Sequence, residues 1–409
     1  MFFYNLFILF YGKLIHIASF FNKKAAAWVD GRKHFPSFPN NRKSIWMHCA
    51  SLGEFEQGRP LIEKLKTTFP NYAIVISFFS PSGFEIRKNY SGADQIIYLP
   101  LDTQSNAKKI INQINPALAI WVKYEFWMNC LNELKNQHIP VILIAGIFRK
   151  NQPFFKWYGG VWKKMLASFE HLFVQNNNDL RLLSEINIHH VSVCGDTRFD
   201  RVIEIAERSN PVPFIETFKN KKSLLIAGST WEEDEKILAT YSKINPELKF
   251  IIVPHEIRPQ HLNSIKRNFN NAMFYSDLGK NKQFENNVDV LIVDSIGLLS
   301  SLYQYADITY IGGGFNKGIH NTLEAAVYGK PVVFGPRYQK FEEAKALIKN
   351  NAGCSIDNFK SLQSALDTLL TNSNKLKSAG ENAKRFVYEN KGATEKITHY
   401  IKLKRLLTN

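Results

Sequence analysis

Cysteine is scarce. The 409 residues carry four, Cys49, Cys130, Cys194 and Cys354, far apart and with no CxxC pair. That excludes a disulfide framework as the source of stability in a chain this long, and no Cys/His cluster has metal-ligand spacing. The four read as reduced, buried thiols of a cytosolic domain. No nucleic-acid module is recognisable, and the basic residues are spread along the chain. No acidic DxD-like pair stands at a turn facing a binding cleft, so no catalytic metal and no cofactor are expected. Long hydrophobic runs are missing beyond the amino end, where MFFYNLFILFYGKLIHIASFF (1–21) carries one charge, Lys13. No basic region precedes this stretch and no small-x-small site follows it, which excludes a cleaved signal peptide.

The chain is 45% hydrophobic and 22% charged, enough to bury large cores. Its length suggests two or three domains. A net charge of +16 suits anionic partners: nucleic acid, an anionic membrane or a phosphorylated substrate. Residues 1–21 are about long enough to cross a bilayer, although Asn5, Gly12, Lys13 and His16 weaken the span. Lys23, Lys24, Arg32, Lys33, Arg42 and Lys43 follow, which by the positive-inside rule keeps the next domain cytoplasmic. The expectation is an N-terminal membrane anchor or interfacial helix. A helix packed on the protein is the alternative.

Short apolar runs then alternate with helical patterns. Strands are expected at 44–50, 72–78, 117–122, 140–146, 171–175 and 190–195, and after a break at 223–229, 249–254, 288–294, 307–313 and 330–335. These runs are β-branched and nearly continuous in apolarity, as strands buried on both faces of a parallel sheet are. The proline-bearing segment 210–222 reads as a linker. The expected class is α/β: two tandem doubly wound, Rossmann-like domains, 22–209 and 223–385, facing each other across a cleft, with 386–409 closing the second domain or crossing back to the first.

Two stretches carry the chemistry. In HCASLGEFEQG (48–58) a carboxylate, Glu54, follows a glycine where a strand gives way to a helix. A helix-start carboxylate suits the dipole; the same place suits a general base facing a bound hydroxyl. In YIGGGFNKGIHNTLEAAVYGKPVVFGP (310–336) a strand ends in Gly312-Gly313-Gly314, His320 and Asn321 follow, and Glu324 begins a helix. Such glycines let backbone N–H groups approach a phosphate, or only make tight turns. Glu324 could accept hydrogen bonds from ribose hydroxyls, and the Gly335-Pro336 turn could reach a nucleobase.

The second stretch resembles the donor-binding half of GT-B glycosyltransferases, and in detail the Kdo transferases, which move 3-deoxy-D-manno-oct-2-ulosonic acid (Kdo) from CMP-Kdo to a lipid A precursor. HNTLEAAVYGKPVVFGP is similar to that family's GHN-x-LE-…-G-x-PV-x-FGP. HCASLGEFEQGRPLI, EFWMN (125–129), CGDTRFD (194–200) and AGSTWEEDE (227–235) match in the same order. The resemblance spans nearly the whole chain. It implies a GT-B fold, an inverting transfer in lipopolysaccharide inner-core biosynthesis, and attachment to the cytoplasmic face of the inner membrane. It implies CMP-Kdo, a lipid A precursor and the membrane surface as partners, and no nucleic acid.

Residue by residue, Glu54 takes the place of the family's proposed base in the S-x-GE turn formed here by Ser51 and Gly53. Glu125 matches the second glutamate of an E-x-E-LWPN stretch. Lys123 replaces the first glutamate and Met128 the proline, so any role that needs both acids is in question. Ser229 and Thr230 suit a phosphate or the Kdo carboxylate, or plain helix capping. Arg198 stands where the family usually has lysine, and His255 and Arg258 where it carries basic residues; each could face phosphate or make a surface salt bridge. The common N-A-R-L-S is replaced by Gly146-Ile-Phe-Arg149-Lys150, then an aromatic and basic run. There Phe154, Phe155, Trp157, Trp162, Lys163 and Lys164 could dock acyl chains and acceptor phosphates at the membrane, or form a helix with an aromatic core face. Competing readings are another GT-B enzyme, such as a UDP-sugar transferase or epimerase, a basic nucleic-acid-binding protein, and a non-catalytic membrane scaffold.

Overall fold

Strands apolar on both faces need cover on both sides. The computed structural model, which describes residues 2–33, 35–36, 42–123, 125–281 and 288–408, meets that need twice. In the first sheet β1 (Ser44–Cys49), β2 (Ala73–Phe78), β3 (Gln95–Tyr98), β4 (Pro116–Val122), β5 (Val141–Gly146), β6 (His171–Val174) and β7 (Val191–Val193) lie in the order β3-β2-β1-β4-β5-β6-β7. In the second, β8 (Ser223–Thr230), β9 (Leu248–Pro254), β10 (Ala272–Phe274), β11 (Val290–Ile292), β12 (Ile308–Ile311), β13 (Val332–Phe334) and β14 (Gly353–Ser355) lie in the order β10-β11-β9-β8-β12-β13-β14. Every pairing in both sheets is parallel. The eleven expected strands are all present. β3, β10 and β14 were not expected; each is a short edge strand.

The chain divides into two units, Met1–Asp200 with Lys391–Asn409, and Arg201–Asn390. Two doubly wound parallel-sheet domains are consistent with a GT-B-like fold. In the first unit the period-2 rule sorts β1 cleanly. Trp46 joins Trp121, Leu143 and Leu172 on one face of the sheet, and Ile45 and Met47 join Ile74, Ile120 and Ile142 on the other. The helix Ala393–Leu403 buries Ala393, Ile397 and Ile401 in that second cluster. Fully burying one such side chain is worth about 1.5–3 kcal/mol. The segment expected as a linker forms a short helix, Ile215–Lys219, with Ile215 and Phe218 buried.

The N-terminal helix, Phe2–Ala18, corrects the expected membrane anchor. It has 17 residues, and no helix among the described residues is long and apolar enough to cross a membrane. At 1.5 Å per residue it reaches about 26 Å, short of a bilayer core of about 30 Å. Two of its polar residues, Tyr4 and Asn5, are bonded to the rest of the protein. The Tyr4 hydroxyl donates to Asp102 Oδ2 at 2.6 Å and accepts the Met128 N–H at 3.1 Å, while Asn5 Oδ1 accepts from Asn129 Nδ2 at 2.8 Å. Asp102 also accepts the N–H groups of Asn129 and Cys130, both at 2.9 Å, and so caps the helix Met128–Asn136. The expected anchor at the cytoplasmic membrane face is therefore overturned.

Candidate active site

In an open parallel sheet, ligands bind beyond the carboxyl ends of the strands where strand order reverses. In the first sheet that point lies between β1 and β4. Glu54 follows β1, in the first turn of the helix Leu52–Thr68, and Glu125 follows β4. Glu54 Oε2 reaches back to accept the Ala50 N–H. Among the described residues Oε1 has no such bond, which leaves it for an incoming hydroxyl. Burial raises the Glu54 pKa, and the Glu125 carboxylate raises it further; His48, the Ala50 N–H and Lys123 pull the other way. A base with a raised pKa is a stronger base. Beside it Gly53 is exposed, and a Cβ there would meet nothing within 4 Å.

Glu125 is only partly buried, but its Oε2 is enclosed and has no hydrogen-bond partner. It lies 3.6 Å from Nε2 of His48, a fully buried residue of β1. The Trp127 indole donates to the same Nε2 at 3.3 Å. The main-chain carbonyl of Glu125 accepts the Trp121 indole N–H at 2.7 Å, which fixes this segment over the sheet.

The second sheet reverses between β8 and β12. Ser229, at the end of β8, has φ +54, a sparsely populated backbone state for serine. Gly312–Gly314 follow β12. A Cβ on Gly312 would lie 2.3 Å from Ser229 O, and one on Gly314 would lie 2.5 Å from Gly335 Cα. These glycines let three strand-end loops touch. Glu324 accepts from Ser300 Oγ and Asn321 Nδ2, both at 2.9 Å. His320 stacks on His255 with centroids 4.3 Å apart, and Trp231 stacks on His255 at 4.9 Å. Burial and the neighbouring His255 lower the His320 pKa to about 4. Its Nε2 accepts the Trp231 indole N–H at 3.2 Å. The ring is therefore a neutral, oriented hydrogen-bonding group.

The family described as 3-deoxy-D-manno-octulosonic-acid transferase (kdotransferase) matches residues 27–201. A 3-deoxy-D-manno-octulosonic acid transferase of Rickettsia bellii is 29% identical over 362 residues, 86% of this chain and 85% of that protein. The chain is a family-level match to the Kdo transferases of the GT-B class. A bifunctional glycosyltransferase/methyltransferase of Fusobacterium nucleatum is 30% identical, over 80% of this chain and 52% of its own length. Among solved structures, a putative UDP-N-acetylglucosamine 2-epimerase from Listeria monocytogenes shares the fold, with a TM-score of 0.61 at 12% identity over 90% of this chain and 98% of that one. At this identity the likeness shows the fold alone.

Not every residue expected from the Kdo-transferase resemblance is placed for a ligand. The Thr230 hydroxyl is buried and donates to Glu235 Oε1 at 2.9 Å. The Gly312 N–H goes to Gly228 O, and the Gly313 N–H to Asp234 Oδ2 at 2.8 Å. Neither can cradle a phosphate as it stands. Arg198 belongs to the first unit, and its guanidinium grips the buried Asp196 at 2.8 Å. Arg258 is exposed and pairs with Glu256 at 2.9 Å. Phe154 is buried against Phe126 and Phe148, and Phe155 and Trp162 pack on the same core. Phe154 is thus a core residue, and Phe155 and Trp162 are partly buried against that core. Trp157, Arg149, Lys150 and Lys164 are exposed, and Lys163 is half-buried. The sequence reasoning missed His48, Trp127, Trp231, Asp234 and Ser300. His48 and Trp231 each stand inside a stretch already singled out, next to residues that were chosen.

Proposed function

We propose that the protein transfers Kdo from CMP-Kdo to a hydroxyl of a lipid A precursor, with inversion at C2. The observation that carries this reading is Glu54: a carboxylate at the strand-order reversal, pKa raised by burial and by Glu125, with one oxygen uncommitted beside the open face at Gly53. Glu54 takes the proton of the acceptor hydroxyl. That oxygen bonds to C2 of Kdo, and the C2–O bond to the CMP phosphate breaks, its electron pair leaving on the phosphate. Ser51 and Gly53 border the acceptor, and the exposed Arg149, Lys150, Trp157 and Lys164, with Lys163, supply cations and an aromatic surface for it.

The second unit binds the donor. Glu324, already held by Ser300 and Asn321, accepts the ribose hydroxyls. Ser229 and the neutral His320 donate to phosphate or to the Kdo carboxylate, with His255 stacked behind. Gly314, Gly335 and Pro336 form the floor of this site. CMP carries a single phosphate, so less charge must be neutralised than for a nucleoside diphosphate.

The test is transfer from CMP-Kdo, generated in place, to a tetraacylated lipid A precursor in detergent, with product mass and CMP release recorded. Wild type should transfer. Glu54→Gln should lose at least about 10²-fold in kcat while still binding CMP. A well-folded wild type that releases no CMP refutes the reading, and binding of UDP in preference to CMP would point to a UDP-sugar enzyme instead.

A further inference from the structure

A buried imidazole needs partners for both nitrogens. His48 Nδ1 lies 2.9 Å from Ser77 Oγ, an oxygen that also receives the Trp46 indole N–H at 2.9 Å. Nε2 stands between two groups that make opposite demands. The Trp127 indole is a donor only, so its 3.3 Å contact needs a bare Nε2. Glu125 Oε2, enclosed and otherwise unbonded at 3.6 Å, needs a proton between itself and Nε2. Both contacts are longer than a well-formed hydrogen bond. The nitrogen is thus poised to exchange one partner for the other by a small movement of either side chain.

We propose that His48 is a positioning residue that acts through Glu125: the two hold one proton between them, and their pair is electrically neutral while Glu54 is ionised. The proposal deepens the reading of Glu54 as the base and rests on it. Two nearby carboxylates do not both ionise cheaply. Facing Glu54 are Glu125 from the segment after β4, Lys123 at the end of that strand, and His48, the Cys49 thiol and the Ala50 N–H from β1 and its turn. Arg32 and Tyr11 face Glu125 from the N-terminal part of the chain. Where the family pattern has its first glutamate this chain has Lys123, so His48 and Lys123 are the groups that offset Glu125. The shared proton stays on the pair during transfer and takes no part in its balance.

The Glu54 carboxyl can be followed directly, by 13C NMR of protein labelled at the Glu side-chain carboxyl, its resonance assigned by its loss in Glu54→Gln. His48→Asn, which keeps a group for Ser77 and removes the one facing Glu125, should raise the Glu54 midpoint by about 1 pH unit. The acid limb of kcat/KM should rise with it, a loss of about tenfold on that limb. His48→Gln, whose amide N–H still reaches towards Glu125, should raise it less. Adding Glu125→Gln to His48→Asn should bring the midpoint back. Glu125→Gln alone should move it little, because the carboxylate that raises the Glu54 pKa and the His48 proton that lowers it are lost together. A folded His48→Asn protein with an unmoved Glu54 midpoint overturns the proposal. If the His48 variants do not fold, Glu125→Gln alone decides, and a fall of about 1 pH unit in the Glu54 midpoint would overturn it. The titration needs no substrate. The expected shifts in a protein that transfers no Kdo would support the pair and refute the transfer reading.

Discussion

Replacing Gly314 by alanine separates packing from conformation at the Gly-rich turn. The φ of Gly314 lies outside the left-handed region, so the backbone itself accepts alanine. The new Cβ does not fit. It would stand 2.5 Å from Gly335 Cα, 2.6 Å from its N and 2.7 Å from its C, all main-chain atoms. Carbon atoms in contact prefer about 3.5–4.0 Å. The two loops must therefore part by about 1 Å, and Arg337, whose N–H donates to Gly314 O at 3.0 Å, moves with them. Overpacking of this kind costs about 1–3 kcal/mol. In a domain of this size each kcal/mol lowers the melting temperature by about 2–4 °C, so Gly314→Ala should melt about 2–12 °C lower. Isothermal titration should show CMP affinity falling at least about tenfold. Gly53→Ala is the control, since its Cβ meets nothing, and its melting temperature should hold or rise. A Gly314→Ala protein that melts and binds CMP like wild type refutes the reasoning.

Activity should fall on the acid side at a pH above the ordinary glutamate range, because Glu54 must be ionised to act and burial followed by Glu125 raises its pKa; an acid limb at or below about pH 4.3 in kcat/KM would contradict this. Glu324→Gln should weaken CMP binding by about 1–3 kcal/mol with little change in melting temperature, and unchanged binding by titration would remove Glu324 from the donor site. Arg198→Met should cost about 3–5 kcal/mol of stability in a denaturant melt, because it leaves Asp196 buried without its cation. Burial raises the Asp196 pKa, but Arg198 more than offsets it, and the net shift is downward. Its stabilisation is therefore present above the unfolded carboxylate value, near 3.9, and lost as pH falls through the folded one. The difference between variant and wild type should shrink in strong acid. A donor contact would instead raise the CMP-Kdo KM and leave stability alone.

The central strands were legible because β1, β2, β4, β5, β8 and β9 are apolar on both faces. β3, β10 and β14 were not: edge strands of three or four residues bury too little to leave a pattern. Glu54 and Glu125 could be chosen as strand-end acids, and the strand order brings β1 and β4 side by side, though they are more than sixty residues apart in the chain. What the sequence could not carry is how each polar group is spent. Thr230 faces Glu235 and the Gly313 N–H faces Asp234, both carboxylates of the first turn of the helix Glu232–Ile244. The apolarity of residues 2–18 is plain in the sequence, but Asn5 reads as a flaw in a membrane span until Asn129 is placed as its partner.

The last residues of the first unit have a consequence for biosynthesis. The chain leaves that unit at Asp200 and returns at Lys391. The Asp200 carboxylate, at the point of exit, accepts the N–H groups of Gly392 and Thr394, at the point of return. Ile397, Ile401 and Leu407 then fill the face of the sheet that holds Ile45 and Met47. On a ribosome the unit translated first therefore stays unsealed until residues 391–407 have been made, while Arg201–Asn390 is contiguous and complete beforehand. The usual order, in which the amino-terminal domain folds first, is reversed. The exposed face of β1 and β4 is what a chaperone would have to cover in the meantime.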